Sequence, residues 1–387
     1  MNVLITTHTY LPNSDGVQFV NEYLAEGLIK KGYKVDVITY KTAKSNLEEE
    51  CINGVNIYRI DARTRYTFHI GEKVKYQEWL LRNYEKYDVM INVCTQTALT
   101  DWVLPIIDKI KIPKILYLHS IWDFKIYCFD CKSVESLLKK IFANIRWFIY
   151  YRKWNKAFKK YNRVIQLHQK DYAWRLFKKW YQISSDVIEN AADDSFFDNS
   201  IDNSVIVPEK YILNVSNYMD RKNQLSILKS FLALKEFDEY ELILIGSTSN
   251  EYFNKLKRVY SKYLKNGGKK RVQLLYGINR EKIYTYVKKA SLYVMASKWE
   301  AFPISIIEAM AAGVPYISTN VGIVNELVGG IVISNSNELG AAIENLLQDN
   351  KRRKELGIIG REYAMKNLMI QSKIDALEHI ILESVNG

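Results

Sequence analysis

Nowhere in this chain of 387 residues does an uninterrupted apolar run approach the eighteen or more residues that a membrane span requires. Cysteine is scarce, four in all, which is too few to suggest a disulfide framework in a chain this long. The amino terminus MNVLITTHTY has neither a basic leader nor a long apolar core, so it is not expected to be a secretory signal. Repeats of solenoid period and low-complexity tracts are also missing. A lone C-x-x-C, Cys128 and Cys131 in YCFDCKS, lacks the second half of a zinc site, so no metal or redox work is expected of it. These absences leave a globular protein expected in the cytoplasm.

Hydrophobic residues make up 48% and charged residues 25%, the proportions of a chain that folds in water. At 387 residues it exceeds what one hydrophobic core ordinarily serves, so two domains are expected. The net charge is +12, and its location is informative. Between Lys139 and Trp180 stand thirteen Lys or Arg against the single Asp171, so this segment carries +12 and the remainder is balanced. Trp147, Tyr151, Trp154, Phe158 and Tyr161 recur at helical spacing as one stripe, with Arg146, Arg152, Lys153, Lys156, Lys159, Lys160 and Arg163 mostly on the other side. Two readings stay open: a core-facing helix with a solvated basic back, or docking of 139–180 on an anionic membrane surface at the inner face of the plasma membrane. No nucleic-acid-binding motif accompanies the charge, and no nucleic-acid partner is expected.

Along the chain, NVLITT, KVDVITY, YDVMINVC and KILYLHS read as buried strands, with VQFVNEYLAEGLIKKGY a helix between the first two. That order is a βαβ unit and implies a parallel sheet. At 194–208 the polar, turn-rich DSFFDNSIDNSVIVPEK reads as a linker, after which the alternation restarts with YILNVS, YELILIGS, RVQLLYG, SLYVMAS and GVPYIST. The expected architecture is α/β, with two Rossmann-like domains: 1–193, and 209–369.

In open parallel sheets, ligands sit where strand ends feed helix amino termini, whose unpaired N–H groups suit phosphate. SKWEAFPISIIEAMAAGVPYIST has this form. A short loop carries Glu300, Pro303 sits where a first helical turn accepts it, Glu308 falls about one and a half turns in, and Gly313 ends the helix. Amides near Ile304 and Ser305 can meet a diphosphate, and Glu308 can accept hydrogen bonds from a ribose diol.

This stretch resembles the E-x7-E signature of retaining glycosyltransferases of family four, which have the two-domain GT-B fold. It departs from the usual wording at Ala301, in place of glycine, and Tyr316, in place of valine. YILNVSNYMDRKNQLSILKSFLAL resembles the family's lysine-bearing loop and helix. Lys222 holds the place of the diphosphate-binding lysine, whereas Asn217 and Ser216 stand where the family has arginine and glycine, so that Arg221 is the candidate substitute cation. Asn190 and Asp193 match the ends of an Asn-Gly-Val-Asp element. Gly246 and Gly277 fall where loops border the nucleotide base, and Gly16 opens the glycine loop that faces the donor phosphate in relatives. His119 holds the place of a histidine near the transferred sugar, while His8, Asp15 and His168 have nothing further to recommend them.

The resemblance implies a carboxyl-terminal helix, 370–387, crossing back to the first, acceptor domain, and a cleft that closes on the donor. It implies retaining transfer without a metal or other cofactor, from a nucleotide sugar (a UDP-sugar favoured over a GDP-sugar) to a glycan or lipid-linked acceptor, as in cell-surface polysaccharide synthesis. Glu300 and His119 are the expected catalytic pair. Lys222, Arg221, Gly16 and residues Phe302, Pro303, Ile304 and Ser305 are expected to hold the diphosphate, and Glu308 the ribose. Two competing readings keep the fold: a catalytically silent partner subunit of another transferase, which the departures at Ser216, Asn217 and Ala301 leave open, and a nucleotide-sugar epimerase.

Overall fold

The computed structural model describes residues 1–13, 15–43, 45, 47–65, 67–121, 124–127, 131 and 133–387. Cys128 lies outside them, and Cys131 is exposed. The chain divides into two compact units, Met1–Asn190 with Gln371–Gly387, and Ala191–Ile370.

The first unit contains strands β1 (Asn2–Thr6), β2 (Lys34–Tyr40), β3 (Glu49–Ile52), β4 (Val55–Ile60), β5 (Ala62–Arg65), β6 (Phe68–Gly71), β7 (Val89–Val93), β8 (Lys114–Leu118), β9 (Arg163–Gln166) and β10 (Asp186–Val187). Its main sheet runs in the order β10-β9-β8-β7-β1-β2-β4-β3, parallel except where β3 meets β4, and β5 and β6 form a separate hairpin. Every residue of β7 and β8 is buried, as expected of central strands covered on both faces. From β1 the chain builds outward through β2 and β4, then returns to the other side of β1 at β7.

The carboxyl-terminal helix Ile370–Asn386 belongs to this unit and packs on helix Gly16–Lys30. Gly27 makes the approach possible, because a Cβ there would lie 2.2 Å from the side chain of Ile374. Lys31 anchors the same helix through Asp375 at 2.7 Å and through Glu378, and Arg163 through Glu383 at 2.7 Å.

The aromatic stripe sorts as its periodicity requires. Helix Val134–Lys153, opened by a capping box between Ser133 and Ser136, stops at Trp154 and is followed by the short helix Asn155–Phe158. Trp147, Tyr151, Phe158 and Tyr161 are buried and Trp154 half-buried, so the stripe faces the core.

The second unit carries β11 (Tyr211–Val215), β12 (Glu241–Gly246), β13 (Arg271–Tyr276), β14 (Leu292–Met295), β15 (Tyr316–Thr319) and β16 (Gly330–Ile333) in one parallel sheet of order β13-β12-β11-β14-β15-β16. Here too the chain builds outward from its first strand, β11, and returns to the opposite side at β14.

The segment 194–208, expected as a linker, lies within this unit and packs on helix Arg280–Lys288. Phe196 is fully buried, edge-on to Tyr284 at 4.9 Å. Asp198 pairs with Lys288, and the Asp202 amide donates to Thr285 at 3.0 Å. Its polar composition reflects these bonds and its turns, which a composition argument cannot tell from a loose tether.

Gly27→Val is expected to lower the stability of the first unit by about 1–3 kcal/mol through overpacking against Ile374. Urea unfolding followed by circular dichroism checks this, and an unchanged midpoint would place the carboxyl-terminal helix elsewhere.

Candidate active site

In the second unit the chain reverses beside β11, and the loops leaving β11 and β14 diverge from neighbouring strands. This is where an open parallel sheet leaves a crevice. The loop after β11 is tied down by hydrogen bonds. Gln224, fully buried, donates to the carbonyls of Ser216 and Asn217 at 3.1 and 2.9 Å and to the Ser216 hydroxyl at 2.8 Å. Asn223 takes a left-handed φ of 54°, which turns the chain into helix Gln224–Leu232.

Just before that turn Lys222 points its ammonium at Glu300, in the loop after β14, with Nζ to Oε1 at 2.6 Å. Only 20% of one side chain and 10% of the other is exposed, so the pair is shielded from water. Arg221 lies 5.2 Å over the ring of Trp299, and its Nε is buried with no hydrogen-bond partner. The Lys298 amide donates to the Arg221 carbonyl at 2.8 Å, which stitches the two loops together. Asn217, where relatives carry arginine, is exposed.

Glu300 leads into helix Ile304–Ala311. Phe302 is buried and fixes the entry, and Pro303 occupies the cap without a side-chain bond to the helix. The first-turn amides, including those of Ile304 and Ser305, find no acceptor within the helix itself and carry the positive end of its dipole. Ala301 does not require left-handed backbone, so alanine fits where the family has glycine. The close approach is made instead by Gly322 (φ 56°), where a Cβ would sit 2.2 Å from the Ala301 carbonyl oxygen. The helix closes in a Schellman turn: the amides of Gly313 and Val314 donate to Met310 and Ala309, both at 2.9 Å, and Gly313 has φ 71°.

Glu308, on the same helix, is 3% exposed and bound by Arg280. Burial pushes its carboxyl above the ordinary value, and the guanidinium pulls it back. Arg280 also lies 3.9 Å from Asp193, which accepts from the Tyr284 hydroxyl at 2.7 Å, and 5.3 Å over the Phe196 ring. Sequence reasoning brought out Glu308 and Asp193 but missed Arg280 between them. The available signal was its position: a cation at the first residue of helix Arg280–Lys288 opposes the helix dipole and needs a local acid.

Gly246 and Gly277 come together, the Gly277 amide donating to the Gly246 carbonyl at 3.1 Å. Gly246 has a packing reason to lack a side chain, since a Cβ there would lie 2.3 Å from the Tyr218 ring. The Tyr218 hydroxyl lies 2.7 and 2.8 Å from the carbonyls of Leu244 and Leu275, which share its one proton.

In the first unit, the carboxyl ends of β1, β7 and β8 bear His8, Cys94 and His119. His119 stacks on Tyr117 at 4.9 Å, and its Nε2, like Nδ1 of His8, is buried without a hydrogen-bond partner. Gly16 begins helix Gly16–Lys30, but the Val17 and Gln18 amides are taken by the Asp15 carboxylate, both at 3.0 Å. Asp15, passed over in the sequence, is thus the helix cap. His168 is buried, and its Nδ1 accepts from the Lys170 amide at 3.2 Å.

Comparison with known proteins matches both units. Residues 14–193 match Glycosyltransferase Family 4, and residues 197–363 match glycosyl transferases group 1. The chain belongs to the family-four glycosyltransferases. It is 25% identical over 371 residues to an uncharacterized glycosyltransferase of Methanocaldococcus jannaschii, covering 90% of each chain. Among solved structures, sucrose-phosphate synthase from Thermosynechococcus elongatus superposes with a TM-score of 0.75 at 17% identity, over 99% of this chain and 98% of that one. Anabaena HepE in complex with UDP and glucose gives 0.73 at 16% identity, over 99% and 100%. The fold is GT-B, two Rossmann-like parallel-sheet units.

Burial, and secondarily His8, push the His119 imidazole down to about 3, with Asp15 opposing. The unfolded chain takes up this proton near the ordinary 6.5, whereas the folded chain refuses it until about 3, so stability falls as pH drops through that window. His119→Asn is expected to flatten the fall by up to ~1.4 kcal/mol per pH unit. Unfolding free energies of both proteins at neutral and mildly acidic pH check this, and identical slopes would refute a buried neutral imidazole.

Proposed function

We propose that this glycosyltransferase moves a sugar from a nucleoside diphosphate donor, with retention at the anomeric carbon, to a glycan or lipid-linked acceptor. The observation that carries the reading is the shielded Lys222–Glu300 pair at the reversal of the second sheet, beside an uncapped helix start. Transfer develops negative charge on the leaving diphosphate and positive charge at the anomeric carbon. Lys222, Arg221 and the amides of Ile304 and Ser305 supply cations and dipoles for the first, held in place before the donor arrives. Glu300 accepts hydrogen bonds from hydroxyls of the sugar. Glu308 accepts from the ribose diol; a carboxylate has lone pairs enough to keep Arg280 as well.

In a front-face substitution the leaving phosphate oxygen takes the acceptor's proton, so no side chain need act as base. The reading is of a metal-free reaction, supported by the cationic Lys222 and Arg221 beside the helix start. In the first unit, taken as the acceptor domain, the partnerless Nε2 of His119 is assigned a sugar hydroxyl. A uridine donor is favoured over a guanosine one, supported by the likeness to Anabaena HepE in complex with UDP and glucose.

UDP is expected to raise the melting temperature more than GDP or ADP, because a ligand of the folded state stabilises it by mass action. Glu308→Ala is expected to weaken UDP binding by roughly 10- to 100-fold, the worth of a charge-assisted hydrogen-bond pair, with the fold intact. Titration calorimetry reads the constant; a variant that binds UDP as tightly as the parent overturns the ribose assignment.

A further inference from the structure

Helix Val134–Lys153 has two apolar faces. One supplies Ala143, Trp147 and Tyr151 to the core. The other, on the opposite side, carries Val134, Leu138, Phe142, Ile145, Phe148 and Ile149, which are 45–76% exposed. Their spacing puts them on one strip about 22 Å long. A helix whose inner face already satisfies the core has no folding reason to line its outer face with large aliphatic and aromatic side chains. A contiguous strip of this kind marks a docking surface.

The surroundings of the strip say what covers it. Arg152 ends it, with its guanidinium 5.4 Å over the Phe148 ring and 4.6 Å over Trp180. Arg146 flanks it, 3.9 Å over Phe68, a residue of the β5–β6 hairpin that is itself 48% exposed. Lys153, Lys156, Lys159 and Lys160 follow, all exposed. A second copy of the chain would set the +12 of residues 139–180 against the same charge, which opposes self-association through this face. Apolar side chains on a convex helix, bordered by Lys, Arg and Trp, match the boundary between acyl chains and anionic headgroups. Among the described residues no helix is long and apolar enough to cross a membrane, so the helix would lie in the interface plane.

We propose that helix Val134–Lys153 docks the protein on an anionic lipid surface, with the Val134–Ile149 strip in the acyl boundary and the following basic residues on the headgroups. The proposal does not depend on the donor assignment. It adds a means of holding the acceptor domain where a lipid-linked acceptor resides.

The test is flotation of the full chain with phosphatidylcholine vesicles, with and without phosphatidylglycerol. One variant combines Leu138→Ser, Phe142→Ser, Ile145→Ser and Ile149→Ser; another combines Lys153→Gln, Lys156→Gln, Lys159→Gln and Lys160→Gln. The parent is expected to float only with phosphatidylglycerol present and to be released by high salt. The serine variant should bind roughly a hundredfold more weakly and the glutamine variant at least tenfold more weakly. Both should keep the parent's melting temperature and its response to UDP, because the substituted side chains face solvent. A parent that stays in solution, or a serine variant that floats like the parent, overturns the proposal. So does a parent that is dimeric by gel filtration, indifferent to vesicles and made monomeric by the serine substitutions, since the face then belongs to a second copy. UDP binding without flotation removes this proposal alone.

Discussion

A parallel sheet that grows outward from its first strand and then returns to grow on the other side must send two adjacent loops in opposite directions. The gap between them cannot be filled by the sheet's own backbone. In the second unit the strands at that gap are β11 and β14, and each delivers one member of the Lys222–Glu300 pair. Two charges removed from water are tolerated when each meets the other with good geometry, and a separation of 2.6 Å meets that condition. The rest of the site is arranged around keeping it. Gln224 pins the loop behind Lys222, the Lys298 amide ties both loops together, and Gly322 lets a neighbouring loop press on the backbone of Glu300 and Ala301.

A second buried acid lies beyond the first, and the structure manages it differently. Glu308 sits inside a helix whose other buried residues are apolar, so its counterion must come from elsewhere in the unit. Arg280 supplies it, and Arg280 is in turn held by Asp193 and by the faces of Phe196 and Tyr284. This explains why residues 191–208 belong to the second unit. They contribute the acid and the aromatic ring that position the arginine beside the carboxylate, so a segment that resembles a connector helps to organise the proposed ribose site.

Much of the fold was legible because alternating apolar strands and amphipathic helices encode a parallel sheet locally. Glu300 and Glu308 stood out because each sits at a short distance from a strand end or helix start, whereas Lys222 stood out only through the resemblance of its loop to the family's. Arg280 was not legible, because it lies 28 residues from the carboxylate it pairs with and resembles its solvent-facing neighbours Lys282 and Lys289. Asp15 was passed over because a cap is recognised by where its carboxylate points. The outer strip of helix Val134–Lys153 escaped for a subtler reason. Periodicity identifies an apolar face but cannot say which of two faces is inward, and the aromatic stripe at Trp147, Tyr151 and Phe158 claimed the signal.

The same reversal of strand order occurs in both units, but the chemistry at the two edges differs. In the second unit the edge is ionic, with Lys222 and Glu300 paired and a helix dipole beside them, which suits a ligand bearing phosphate charge. At the edge of the first unit, burial keeps His119 neutral, pushes the Cys94 thiol up to about 12, and leaves one nitrogen each on His8 and His119 without a partner. The nearby helix start is already occupied by a carboxylate, Asp15, which would repel another anion. Unmet imidazole nitrogens in a desolvated setting are best satisfied by hydroxyl groups, which can donate or accept and carry no charge to bury. Sugars are made of such groups. On the proposed function, the first unit's edge would take carbohydrate and the second unit's edge diphosphate, a division argued from the residues at each edge without reference to how the units are arranged.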